Sequence, residues 1–209
     1  MTERLSATGS PLSDSGPGED YLPGLGEALA SFATGVTLVM VADGRDDIGT
    51  TVSAFCPLSW SPPLVLVSLI AGSYPAEVLS RADRFAVTIL RAGQRILAGR
   101  FAVAGRPGAR LLLEGTPHTR GEISGALIPD GGLAALECAA VQRLPAGDHL
   151  LVIASVLNVS YVSDALDPLL RFAGRYPSLG STSPGEHSAS PGASPRTPRP
   201  ETPRSADGA

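Results

Sequence analysis

The sequence predicts a mainly β domain with a few short helices, arranged as a small barrel rather than a doubly wound sheet. Three observations predict it. Short runs rich in β-formers recur along residues 36–162, turn signals separate them, and helical spacing appears only in brief patches.

Val36–Val41 is a β-rich run ended by the turn pair Asp43-Gly44, and Gly49–Phe55 reads as its returning strand, so the two suggest a hairpin. Leu64–Leu69 follows Pro62-Pro63 and reads as a buried strand. Phe85–Leu90, Leu133–Leu144 and Leu150–Val162 complete the set, with Pro145–His149 as the loop joining the last two. Helical spacing appears in Gly24–Phe32, in Pro75–Arg81 with proline at its first position, and in Gln94–Phe101.

The strong apolar periodicity lies between residues 21 and 179 of the 209, which defines one domain. Residues 1–20 read as a disordered Ser/Gly/Pro leader without an apolar targeting segment. Residues 180–209 hold no Val, Ile, Leu, Met or aromatic residue while proline recurs, so they read as a disordered tail that cannot offset its ordering entropy.

The net charge of −4 gives no electrostatic case for nucleic acid or an anionic membrane, and no apolar run is long enough to span a bilayer. All 16 basic residues are arginine, which removes lysine Schiff-base chemistry and any Walker-type lysine. Cys56 and Cys138 lie far apart in sequence without metal spacing, so they read as small buried hydrophobes in strands, and no metal site is expected. A cytoplasmic protein with reduced thiols is the plain expectation. No Gly-x-Gly-x-x-Gly fingerprint is present, so a nicotinamide cofactor would not bind through a Rossmann unit.

The ordered set Phe32–Val39 with Asp43-Gly44, Gly49–Phe55, Pro62–Val67, Phe85-Ala-Val87, Arg100-Phe-Ala102, Leu136-Glu-Cys138, Gly147-Asp-His149, Pro168-Leu-Leu170 and Gly174-Arg-Tyr176 resembles the flavin reductase-like family, whose fold is the FMN-binding split β-barrel. The resemblance implies an NAD(P)H:flavin oxidoreductase that passes a hydride from NADH or NADPH to FMN or FAD. It also implies a homodimer, and a partner monooxygenase that receives the reduced flavin. The alternative keeps the flavin-binding barrel and uses it for non-reductase chemistry in a biosynthetic pathway. Departures from the family pattern at Gly72, Tyr74 and Thr88 keep that alternative open.

By the same resemblance, Thr50, Thr51, Val52, Ser53 and Ala54 line the flavin, where hydroxyls and small residues admit backbone N–H donors. Taken alone they also fit an ordinary Thr/Ser-rich strand. Ser68 and Ser73 flank the phosphate loop, with Ser73 either a phosphate ligand or a helix cap, and Gly72 stands where a basic residue is expected. The resemblance places His149 near flavin and nicotinamide as an orienting hydrogen-bonding group, while taken alone it also fits a solvated loop histidine. Arg175 and Tyr176 either contact the flavin pyrimidine edge and the nicotinamide or form a C-terminal packing pair. Glu137 reads as a strand carboxylate paired with an arginine.

Overall fold

The computed structural model describes residues 22–44, 46–163 and 167–179, and those up to 178 belong to one compact unit. The leader expected over residues 1–20 and the tail expected over residues 180–209 lie outside the described residues. The chain runs α1 (Leu25–Ala30), β1 (Thr34–Gly35), β2 (Thr37–Val41), β3 (Ile48–Val52), β4 (Phe55–Trp60), β5 (Pro63–Ile70), α2 (Tyr74–Arg81) and β6 (Arg84–Ile89). A 3-10 turn then leads to α3 (Arg95–Ala102), α4 (Ala109–Leu112), β7 (His118–Arg120), β8 (Leu127–Pro129), β9 (Ala134–Ala146), β10 (His149–Val162) and β11 (Leu170–Arg171). One seven-stranded antiparallel sheet, in the order β3-β2-β6-β9-β10-β5-β4, carries the fold.

Two apolar layers sandwich the middle of this sheet. Val39, Val52, Val67, Leu79, Phe85 and Val87 fill the concave side, with α2 laid into it. Leu38, Met40, Leu90, Leu97, Phe101 and Ile128 form the other layer, under α3, α4 and the β7–β8 hairpin. This explains β2: all five of its residues are buried because alternate side chains feed opposite layers.

The single returning strand expected over Gly49–Phe55 is two elements. The chain leaves β3 at Ser53-Ala54 and enters β4, whose Pro57 is tolerated because β4 pairs only with β5 and forms the sheet edge. Leu64–Leu69 is half-buried, not fully buried: Val65, Val67 and Leu69 point into the core, while Leu64, Leu66 and Ser68 alternate onto a partly open face. Cys56 is exposed on the edge strand, which corrects its reading as a buried hydrophobe. Cys138 is buried as expected, and burial, with the charge of Glu137 beside it, pushes its thiol up to about 12. The β9–β10 loop is shorter than expected, with Ala146 paired to His149 across the two residues Gly147-Asp148.

Among the described residues Glu137 pairs with no arginine, against expectation. It is 1% exposed, and its two oxygens accept from Ile123 N, Ser124 N, Ser124 Oγ, Asn158 Nδ2 and Ser160 Oγ. Burial pushes its carboxyl up, but these donors outweigh that effect and hold it at about 2 against an ordinary 4.5. The folded value lies below the unfolded one, so the stabilisation is complete above about pH 4.5 and is lost as pH falls through about 2. A shift of this size corresponds to roughly 3 kcal/mol. We expect denaturant midpoints to fall across that window, and to fall less in Glu137→Gln.

Candidate functional site

β3 ends the sheet and pairs with β2 alone, so one side of its backbone is open. Its neighbour across the gap is the segment linking α3 to α4, and between them lies a cavity of about 720 Å³. That is within the range of small-molecule and cofactor sites, roughly 300–1,000 Å³. Its walls come from β3 and the link to β4, the end of β5, the start of α2, residues 102–108, and the first residue of β10.

Local packing explains this placement. A Cβ on Gly49 would stand 2.5 Å from both Met40 Sδ and Phe101 Cε1. Only glycine lets Phe101 of α3 press flat on β3, which sets where the 102–108 segment runs. The smallness of Gly49 therefore serves packing, not close approach by a ligand. Asp47, 1% exposed just before β3, fixes the other end of that segment. Arg110 Nε donates to it at 2.6 Å, and Arg120 donates to both its oxygens at 3.0 and 2.9 Å. Burial pushes its carboxyl up, but the hydrogen bonds and charges of Arg120 and Arg110 hold it below its ordinary value.

The cavity brings together Thr50, Thr51, Val52, Ser53, Ala54, Ser68, Ser73 and His149. Val52 contributes only in part, since its side chain belongs to the concave core. Ser73 caps α2, accepting from Ala76 N at 3.3 Å and donating to Ile70 O at 2.7 Å. His149 Nδ1 donates to Asp148 Oδ1 at 2.7 Å, which leaves Nε2 as the ring nitrogen free to meet a ligand. The hydrogen bond from His149, and then its charge, hold the Asp148 carboxyl below its ordinary value.

Arg175 and Tyr176 do not line this cavity. Tyr176 packs on the layer under α3 with Arg95 stacked 5.5 Å from its ring centroid, at the opposite end of α3 from the cavity-lining Ala102. Arg175 is exposed and closes a turn with Phe172. Thr88 is buried in β6 and does not reach the cavity either.

Sequence reasoning missed Tyr74 and the whole 102–108 segment, including Arg106. No periodicity marks that segment. Its signal is compositional: Gly105-Arg-Pro-Gly108 places one arginine in a Gly/Pro turn.

Gly72 has φ +75°, a left-handed turn conformation, with open space around it. An arginine there would cost about 1–2 kcal/mol of backbone strain. We therefore expect Gly72→Arg to lower thermal stability by that amount, with any gain in anion affinity offset in part. Unchanged stability in a melting experiment would show that the turn relaxes.

The flavin reductase like domain model matches residues 29–180. The reductase component of 4-hydroxyphenylacetate 3-monooxygenase from Thermus thermophilus is 37% identical over 150 residues, covering 72% of this chain and 91% of that protein. The FMN reductase (NADH) of Agrobacterium fabrum is 33% identical over 160 residues, covering 77% and 87%. Among solved structures, the NADH:FAD oxidoreductase of Streptomyces globisporus, in complex with NAD and FAD fragments, superposes with a TM-score of 0.70 at 31% identity, covering 76% of this chain and 93% of that one. The cavity beside an open sheet edge thus sits in a fold shared with these reductases, and the chain belongs to the flavin reductase-like family of split β-barrels.

Proposed function

We propose that this protein is an NADH- or NADPH-dependent flavin reductase that supplies reduced FMN or FAD to a partner monooxygenase in the cytoplasm. The observation that carries the reading is the cavity. It is of cofactor size, has hydroxyl-bearing and backbone donors on one wall, an apolar wall at Ile70 and Tyr74, and His149 at its rim. These residues fit a flavin: a planar aromatic body needs apolar walls, while its polar edge needs N–H and O–H donors.

Flavin, when bound, supplies the hydride-accepting ring. The chain's own residues do the rest. Gly49 O points away from β2 to meet Arg106, so in an antiparallel edge the N–H and C=O of Thr51 share that open side. Thr50, Ser53 and Ser68 offer hydroxyls around them. His149, held in one orientation by Asp148, presents Nε2 where a nicotinamide carboxamide could be met. No acid–base step is needed from it, since orientation alone raises the frequency of productive encounters.

A homodimer is part of the proposal. Trp60, Ile70, Val141, Leu157 and Val159, on β4, β5, β9 and β10, are exposed large hydrophobics on the sheet. Exposed apolar surface on this scale marks interaction sites, and Ile70 also belongs to the cavity wall. Light scattering should give twice the subunit mass at micromolar concentration; a monomer with full activity would remove this part.

The steady-state experiment is NADH and NADPH consumption against added FMN and FAD. The rate should saturate with flavin, and gel filtration should return nearly colourless protein, as expected of flavin that enters and leaves. Nicotinamide consumption indifferent to added flavin would contradict the reading.

A further inference from the structure

The turn between β5 and α2 is short of anion donors. Ser73 Oγ is engaged at both Ile70 O and Ala76 N, Ser73 N donates to Ile70 O, Glu77 N donates to Ser73 O, and Pro75 has no N–H. Gly72 offers no side chain. Arg81 on α2 is spent on Asp43 and Glu77 at 3.3 and 3.1 Å, and Arg84 donates to Ile123 O. A phosphate placed at this turn would meet the backbone N–H groups of Gly72 and Tyr74 but no unengaged cation among the described residues.

Across the cavity stands Arg106. Its Nε donates to Gly49 O at 2.8 Å and Nη1 donates to Val103 O at 2.9 Å. These bonds leave both N–H groups of Nη2, and one of Nη1, without a protein acceptor among the described residues. Asp46 lines the same cavity, yet no carboxylate among the described residues lies within 4.0 Å of the guanidinium. Asp47, the next acid along the chain, is held by Arg110 and Arg120. Burial pulls the Arg106 guanidinium below its ordinary value, with nothing to offset it. A partly buried cation thus faces a ligand-sized cavity without a counter-ion, a situation that an anionic ligand relieves.

We infer that Arg106 receives the phosphate ester of the flavin, in place of the cation missing at Gly72. The inference rests on the flavin-reductase reading above. The guanidinium fork matches two phosphate oxygens, and its anchor on Gly49 O holds it against the open edge of β3. The phosphate is then gripped from the segment between α3 and α4, not from the helix after β5. Phosphate-bearing flavins bind through Arg106, and riboflavin does not use it.

Equilibrium titration of the full-length protein and Arg106→Gln with FMN, FAD and riboflavin tests this. The unmodified protein should bind FMN and FAD more tightly than riboflavin. Arg106→Gln should lose about tenfold to a hundredfold in FMN and FAD affinity while riboflavin affinity stays the same. An equal loss for all three would mean that Arg106 only shapes its loop, and unchanged FMN binding would mean another group holds the phosphate; either overturns the inference and leaves the reductase reading standing. No binding of any flavin by the unmodified protein would remove both. A second measurement needs no variant: phenylglyoxal labelling of Arg106, read by mass spectrometry, should be suppressed by FMN and by inorganic phosphate but not by riboflavin. Equal protection by riboflavin and FMN, or none by phosphate, would overturn the assignment.

Discussion

Glu137→Ala is expected to cost the fold about 3–5 kcal/mol, the range seen when one partner of a buried charged network is removed. The carboxylate receives two backbone N–H groups, two hydroxyls and an amide from two separate parts of the chain, the turn at 123–124 and β10. Its removal strands the buried Ser124 N–H in particular, because the loop passes too close for rearrangement: a Cβ on Gly121 would stand 2.3 Å from Glu137 Oε2. Domains of this kind hold about 5–15 kcal/mol in all, so a large fraction goes. The melting temperature should fall by about 10 °C or more, with Glu137→Gln intermediate because an amide keeps one acceptor oxygen. A melt of Glu137→Ala within about 2 °C of the unmodified protein would show that water or repacking satisfies the donors.

His149→Ala should lower kcat/KM for the nicotinamide substrate by about tenfold to a hundredfold while flavin affinity changes much less. The ring stands at the cavity rim with Nδ1 tied to Asp148 and Nε2 available, so its loss removes one oriented hydrogen bond worth about 1–3 kcal/mol. Asp148→Asn tests the orienting role separately, since it keeps the shape but removes the charge that fixes which nitrogen carries the proton. It should give a smaller loss of the same kind. Unchanged nicotinamide kinetics in His149→Ala would return the histidine to a loop residue.

Local signals served the sheet well and the cavity unevenly. β2, β5, β6 and β10 were legible because their runs of β-branched and apolar residues favour a strand over a helix, and α2 because Pro75 and the apolar spacing after it agree. β4 was hidden by Pro57, which marks a break unless one knows that the strand is an edge. The β7–β8 hairpin and α4 were hidden because each is only three or four residues long and is stabilised by tertiary partners. At the cavity, Thr50–Ala54, Ser68, Ser73 and His149 were reachable through resemblance, since each sits in a recognisable run. Arg106 was not. What marks it is a guanidinium with no carboxylate partner among the described residues, set in the wall of the cavity beside β3, a property of three-dimensional placement that no spacing encodes. The stacking of Tyr176 on Arg95 was invisible for the same reason.

The most direct test of the central claim is anaerobic rapid mixing of the purified protein with stoichiometric FMN or FAD and NADH, following loss of the oxidised-flavin absorbance. Protein-dependent bleaching to completion is expected, one flavin reduced per NADH consumed, at a rate orders of magnitude above the protein-free mixture. Flavin that binds to the protein yet stays oxidised with NADH and NADPH alike would contradict it.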